Sequence, residues 1–99
     1  MEIRVKGYLT FRSLVGTRRI TIDQDALSLS ELLQKLAAEV GGEFAAAIYE
    51  PGGQSIRQHV AILVNGMHYT HLPYQMNTPM KDGDEVAIFP PVAGGAQGT

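Results

Sequence analysis

The 99-residue chain has no cysteine, so no thiolate nucleophile, disulfide or cysteine-held metal is available to it. His68 and His71 lie three apart with His59 upstream, a spacing that chelates metal when it falls on a helix. Here Thr70, Pro73 and Asn77 predict a loop, and no metal site is expected. Asp82, Asp84 and Glu85 crowd together but lack the twelve-residue pattern of a calcium loop, so they read as a turn with solvated charges. Gly41-Gly42 and Gly52-Gly53 are not followed by a phosphate-loop lysine and read as a helix stop and a turn. No nucleophile and base are spaced to act together, and no enzymatic activity of the chain by itself is expected. What remains is the backbone of "FPPVAGGAQGT", residues 89 to 99. Pro90 and Pro91 cannot donate backbone hydrogen bonds, so a strand should end there and the chain should leave stiff and extended. Val92 to Gly95 then reach about 13 Å when extended, enough to enter a narrow tunnel on another protein. Gly94 and Gly95 have no Cβ to keep a backbone away from a catalytic site. Two readings stay open: an inert flexible terminus, or a chemically active one behind a short extension.

Composition narrows the setting. A hydrophobic share of 44% with 18% charged residues suits one globular domain over residues 1–91, with 92–99 as a flexible tail. A formal net charge of −2 supplies no basic stripe, so nucleic acid is not an expected partner. No run approaches eighteen apolar residues, and "MEIRVKGYL" has neither a long apolar core nor a small-residue cleavage site. No membrane association is expected, and cytoplasmic residence follows by elimination.

The elements that must hold the tail follow from periodicity. Ile3, Val5 and Leu9 alternate with Glu2, Arg4 and Lys6, which predicts a first strand; "RRITID" puts Ile20 and Ile22 on one face of a second. "YLTFRSLVGT" between them reads as a loop anchored by Phe11 and Leu14. Ser28 and Glu31 have capping-box spacing, and Leu29, Leu32, Leu33, Leu36 and Val40 follow a helical period up to Gly41. Residues 43–49 predict a short second helix that ends at Pro51-Gly52-Gly53. "HVAILV" is strand-prone and leads into Asn65-Gly66, a tight turn with positive φ at both residues. Residues 67–80 read as irregular, Asp82-Gly83-Asp84 as a turn, and "EVAIFP" as the last strand. The order is α+β: a mixed sheet of four to five strands over one long helix, with first and last strands able to pair in its middle.

If Ile62, Val64, Val86 and Ile88 face the helix, then Ala61, Leu63, Ala87 and Phe89 face away. That second face is apolar for an outer surface. Either residues 67–80 cover it or it stays tolerably exposed, or Leu63 and Phe89 form a docking patch for a partner beside the tail.

"ILVNG" followed by "DGDEVAIFPPVAGG" resembles the sulfur carriers of the MoaD/ThiS group, ubiquitin-like proteins that include the molybdopterin synthase small subunit and the thiamine sulfur carrier. The likeness covers residues 1 to 95 and is nearer to the molybdopterin synthase subunit. It implies a β-grasp fold. It also implies that a terminal glycine carboxylate is adenylated by an ATP-dependent ubiquitin-activating-type enzyme and converted to a thiocarboxylate that donates sulfur. Gly95 would carry the sulfur and Gly94 would give access. Pro90, Pro91, Val92 and Ala93 would thread the active sites of the activating enzyme and of a sulfur-accepting synthase large subunit. The chain would bind no cofactor itself, ATP being used by the activating partner.

Ala96-Gln97-Gly98-Thr99 departs from that pattern, because it locks Gly95 in a peptide bond. The resemblance implies a route out, since some ubiquitin-like proteins and sulfur carriers are made as precursors trimmed by a peptidase, often zinc-dependent, so cleavage between Gly95 and Ala96 is the expectation. A tail added in expression, or a member that keeps its tail and only binds, are the alternatives. The acceptor of the sulfur stays open, as do two other roles: a modifier joined through Gly95 to lysines, and a non-covalent interaction module using Leu63 and Phe89.

Overall fold

The computed structural model describes residues 1–53 and 55–91. Its centre is a parallel pair of strands from opposite ends of the sequence. β1 (Glu2–Gly7) lies beside β5 (Glu85–Phe89), with Val5 opposite Val86 and Gly7 opposite Ile88. β2 (Thr17–Thr21) returns antiparallel along the free edge of β1. β3 (Ala61–Val64) pairs antiparallel with β5, and β4 (Met67–His68) closes a hairpin on β3, giving the order β2-β1-β5-β3-β4. This is the β-grasp arrangement, with the first and last strands inside and protected from edge pairing.

Alternation decides which face is buried. Ile3, Val5, Ile62, Val86 and Ile88 are wholly buried, while their strand neighbours are exposed or half-buried. The helices pack on that face. α2 (Leu29–Val40) starts at the expected box: Ser28 Oγ accepts the Glu31 N–H, and Glu31 Oε1 accepts the Ser28 N–H. Such a cap contributes about 1 kcal/mol. Leu29, Leu32, Leu33 and Leu36 are fully buried beneath it, each stabilising by roughly 1.5–3 kcal/mol on transfer from water. α3 (Gly42–Ile48) follows and buries Phe44 and Ile48, so the helical layer is shared by two helices rather than made by one.

Two segments differ from their sequence reading. Residues 8–16 are not a plain loop: Phe11–Leu14 form a helical turn, α1, that buries Phe11 edge-on against Phe44. Gly7 makes this possible, since a Cβ there would collide with the Phe11 carbonyl oxygen. β1 ends at Gly7, and Leu9 is turned out at φ 55 with 59% of its surface exposed instead of continuing the strand's buried face.

Residues 67–80 lack long elements but contain two 3₁₀ turns, Tyr69–His71 and Gln75–Asn77. They lead to the start of α2, where the Leu29 N–H donates to Thr78 O and the Met80 N–H to Leu27 O. Tyr69, Leu72 and Met76 pack on the core from there. The Asn65-Gly66 turn has the expected positive φ at both residues, 51 and 87.

The Asp82-Gly83-Asp84 turn also ties distant strands together. Asp82 Oδ1 accepts the Glu2 N–H and Asp84 Oδ2 the Lys81 N–H, while the Asn65 side-chain amide donates to Asp84 Oδ1. Asp82 is exposed and Asp84 half-buried, and together they hold the entry to β5 against β1 and β3.

Candidate functional site: the end of β5 and the outer sheet face

The last strand residues set where the chain leaves the sheet. Ile88 is buried and its carbonyl accepts the Tyr8 N–H at 3.0 Å. That bond places Tyr8 alongside Phe89, and their rings stack with centroids 4.4 Å apart and planes 5° from parallel. The contact stiffens the exit, since an aromatic pair adds about 0.5–1.5 kcal/mol beyond burial. β5 stops at Phe89, as the two prolines require; Pro90 is half-buried and Pro91 exposed.

The outer face is read row by row from the register. Phe89 lies between Tyr8 on one side and Ala61 on the other; Ala87 lies between Lys6 and Leu63, with His68 beyond Leu63. The next row carries Arg4 and Glu85. Glu85 Oε2 meets Lys6 Nζ at 3.2 Å and Arg4 Nη2 at 3.9 Å. Ala61, Leu63, Ala87 and Phe89 are each half-buried. Beyond β4 the chain from Tyr69 to Met80 packs on the core and the start of α2, and the apolar band is left only partly covered. Leu63 and Phe89 therefore share one face with Pro90 at its end. Tyr8, which sequence reasoning passed over, belongs with them; the alternation of Glu2, Arg4 and Lys6 continues to it.

Val92, Ala93, Gly94, Gly95 and Ala96, the remaining residues expected to thread, carry sulfur or be cleaved, lie outside the described residues, as do Gln97 to Thr99. Among the described residues no group of three or more His, Cys, Asp and Glu side chains could hold a metal ion, and no helix is long and apolar enough to cross a membrane. His68 and His71 have ring centroids 6.4 Å apart, and His68 Nδ1 is engaged with Thr70, 2.9 Å from its hydroxyl.

The model of the ThiS family matches residues 9–95. The chain belongs to the ThiS family. It is 40% identical to small archaeal modifier protein 3 of Haloferax volcanii, an alignment covering 96% of this chain and all of that one. It is 33% identical to the molybdopterin synthase sulfur carrier subunit of Escherichia coli, over 94% and 99% of the two chains. The solution structure of the HVO 2177 protein of Haloferax volcanii superposes with a TM-score of 0.75 at 36% identity, covering 95% of this chain and 86% of that one. This ThiS-family chain is thus one of the small ubiquitin-like carrier and modifier proteins, whose relatives include a subunit of a larger synthase by name.

Proposed function

We propose that the protein is a sulfur carrier whose Gly95 carboxylate, freed by hydrolysis of the Gly95–Ala96 bond, is activated and thiolated by partner enzymes. The observation that carries this reading is the extent of the family match, which runs to Gly95 and stops before Ala96-Gln97-Gly98-Thr99. In the first step a carboxylate oxygen of Gly95 attacks the α-phosphorus of ATP on an adenylating enzyme and pyrophosphate leaves. A sulfur nucleophile then attacks the Gly95 carbonyl carbon and AMP leaves with the bonding electrons, giving, once any carrier is released, a thiocarboxylate. The chain needs no catalytic side chain for this. It supplies a slender backbone at Gly94-Gly95, a stiff exit at Pro90-Pro91, and a docking band at Leu63 and Phe89 for the activating enzyme and the sulfur-accepting synthase. Trimming falls to a peptidase, and a zinc-dependent one fits the family. The kinship with a molybdopterin synthase carrier subunit favours cofactor biosynthesis as the destination of the sulfur.

Intact mass of the protein from its own cells, with fragment ions read from the C-terminus, tests the proposal. Chains ending at Gly95, with one oxygen exchanged for sulfur, are expected. Chains ending uniformly at Thr99 under sulfur demand would overturn it. The 40% identity to a protein named as a modifier supports a second use of the same adenylate, attack by a lysine amine to give an isopeptide bond with loss of AMP. Adducts that persist in a denaturing gel and vanish when Gly95 is deleted are its signature.

A further inference from the structure

Beside the Tyr8–Phe89 stack lies a feature that neither tail activation nor the apolar band uses. Lys6, Gly7, Tyr8, Arg12 and Thr17 line an open cleft of about 290 Å³. Its construction follows from the fold. Thr17 on β2 is the register partner of Lys6 on β1, and α1, seated on the bare backbone of Gly7, brings Arg12 to the same place.

The cleft is cationic in a chain whose net charge is −2. No acidic residue lines it. The Arg12 guanidinium has no hydrogen-bond or ion-pair partner among the described residues; it is the backbone N–H of Arg12 that is engaged, with Leu9 O. Lys6 has Glu85, but that carboxylate also serves Arg4. Arg19, opposite Arg4 on the same outer face, adds a further exposed cation; Glu2, the one acid of β1, stands at the strand's far end.

We propose that this cleft receives carboxylate side chains from an acidic segment of the protein that engages the tail. The inference rests on the reading that the tail is presented to a partner protein. Two observations favour a protein segment over a phosphate. The backbone amides that could have formed a phosphate cradle are spent: the Gly7 N–H donates to Gly16 O and the Tyr8 N–H to Ile88 O. The cleft also shares Tyr8 with the stack that borders the exit of the chain at Pro90, so a protein closing over the tail passes across it. Charges at the rim of an interface act chiefly on encounter rate and register, and Arg12 and Lys6 are placed for that.

The test uses the full chain, uniformly ¹⁵N-labelled, and an oligoglutamate peptide as probe at low ionic strength, with inorganic phosphate and AMP as separate titrants. The expected result is saturable shifts confined to the amides of Lys6 to Tyr8, Arg12 and Thr17. These shifts should be lost in Arg12→Glu, reduced in Arg12→Ala, and suppressed by salt, with circular dichroism unchanged in both variants. The proposal is overturned by peptide shifts absent from these residues, by shifts that persist in Arg12→Glu, or by phosphate or AMP binding there more tightly than the peptide. If Arg12→Glu fails to fold, Arg12→Ala decides. The readout requires no processed tail: if the cellular protein were found uniformly ending at Thr99 the sulfur-carrier reading would fall, while peptide binding to the full chain would leave the cleft standing.

Discussion

Tyr49 at the end of α3 has a hydroxyl buried without a hydrogen-bond partner among the described residues, and its burial raises the phenol above its ordinary value of 10.0 by desolvating the phenolate. An unpaired buried polar group of this kind costs roughly 1–3 kcal/mol. Tyr49→Phe is therefore expected to fold at least as stably as the parent, read as an equal or higher denaturant midpoint; a clear fall would show that the hydroxyl has a partner. The linkage sign follows from the raised value. Below pH 10 the phenol is neutral in folded and unfolded chains alike and stability is unaffected. As pH rises past 10.0 towards the higher folded value the unfolded chain ionises first, so stability falls there and Tyr49→Phe should lose that part of the alkaline slope. Gly7 is the opposite case, a position where one carbon is too many. Gly7→Ala pushes a Cβ into the Phe11 carbonyl and must lift α1 off β1, at a cost of about 1–3 kcal/mol. A thermal melt of the variant should show a drop of several degrees, and an unchanged melt would mean that α1 is not seated as described.

At the level of elements, the outer band of β3 and β5 is the part of the sheet whose burial falls short of its composition. Leu63→Ser with Phe89→Ser should weaken binding to the proposed activating enzyme while the circular dichroism of the fold is kept, because neither side chain belongs to the buried core. Unchanged binding would remove the band from the interface. These two residues were legible from alternation alone, as were the Ser28–Glu31 cap and the Asn65-Gly66 turn, since each is written within a few neighbouring positions. α1 was not, because four residues are too few to display a helical period. The Tyr8–Phe89 stack and the bond from the Glu2 N–H to Asp82 were hidden for another reason. They join the two ends of the chain, and only the parallel pairing of β1 with β5 brings those ends together. The departure of Leu9 from β1 has a local origin: the strand stops where Gly7 must accommodate α1.

For the molecule as a whole, the central position of β5 separates what holds the fold from what the proposed chemistry consumes. Val86 and Ile88 are wholly buried, and β5 satisfies the inner edges of both β1 and β3. Losing those two side chains alone forfeits about 3–6 kcal/mol of burial, comparable with the whole stability of a small domain at about 5–15 kcal/mol. Among the described residues the buried core lies between Ile3 and Ile88. A chain ending at Pro91 is therefore expected to melt within a degree or two of the full-length protein, whereas one ending at Asp84 should be unfolded. Calorimetry on the two truncations decides it: a destabilised 1–91 chain would mean that residues beyond Pro91 contribute to the fold, and hydrolysis at Gly95 could then alter stability as well as chemistry. With the expected result, the proposed cleavage, adenylation and thiolation at Gly95 would leave the folded unit untouched, so that one carrier could pass between partner enzymes with its proposed docking face unchanged.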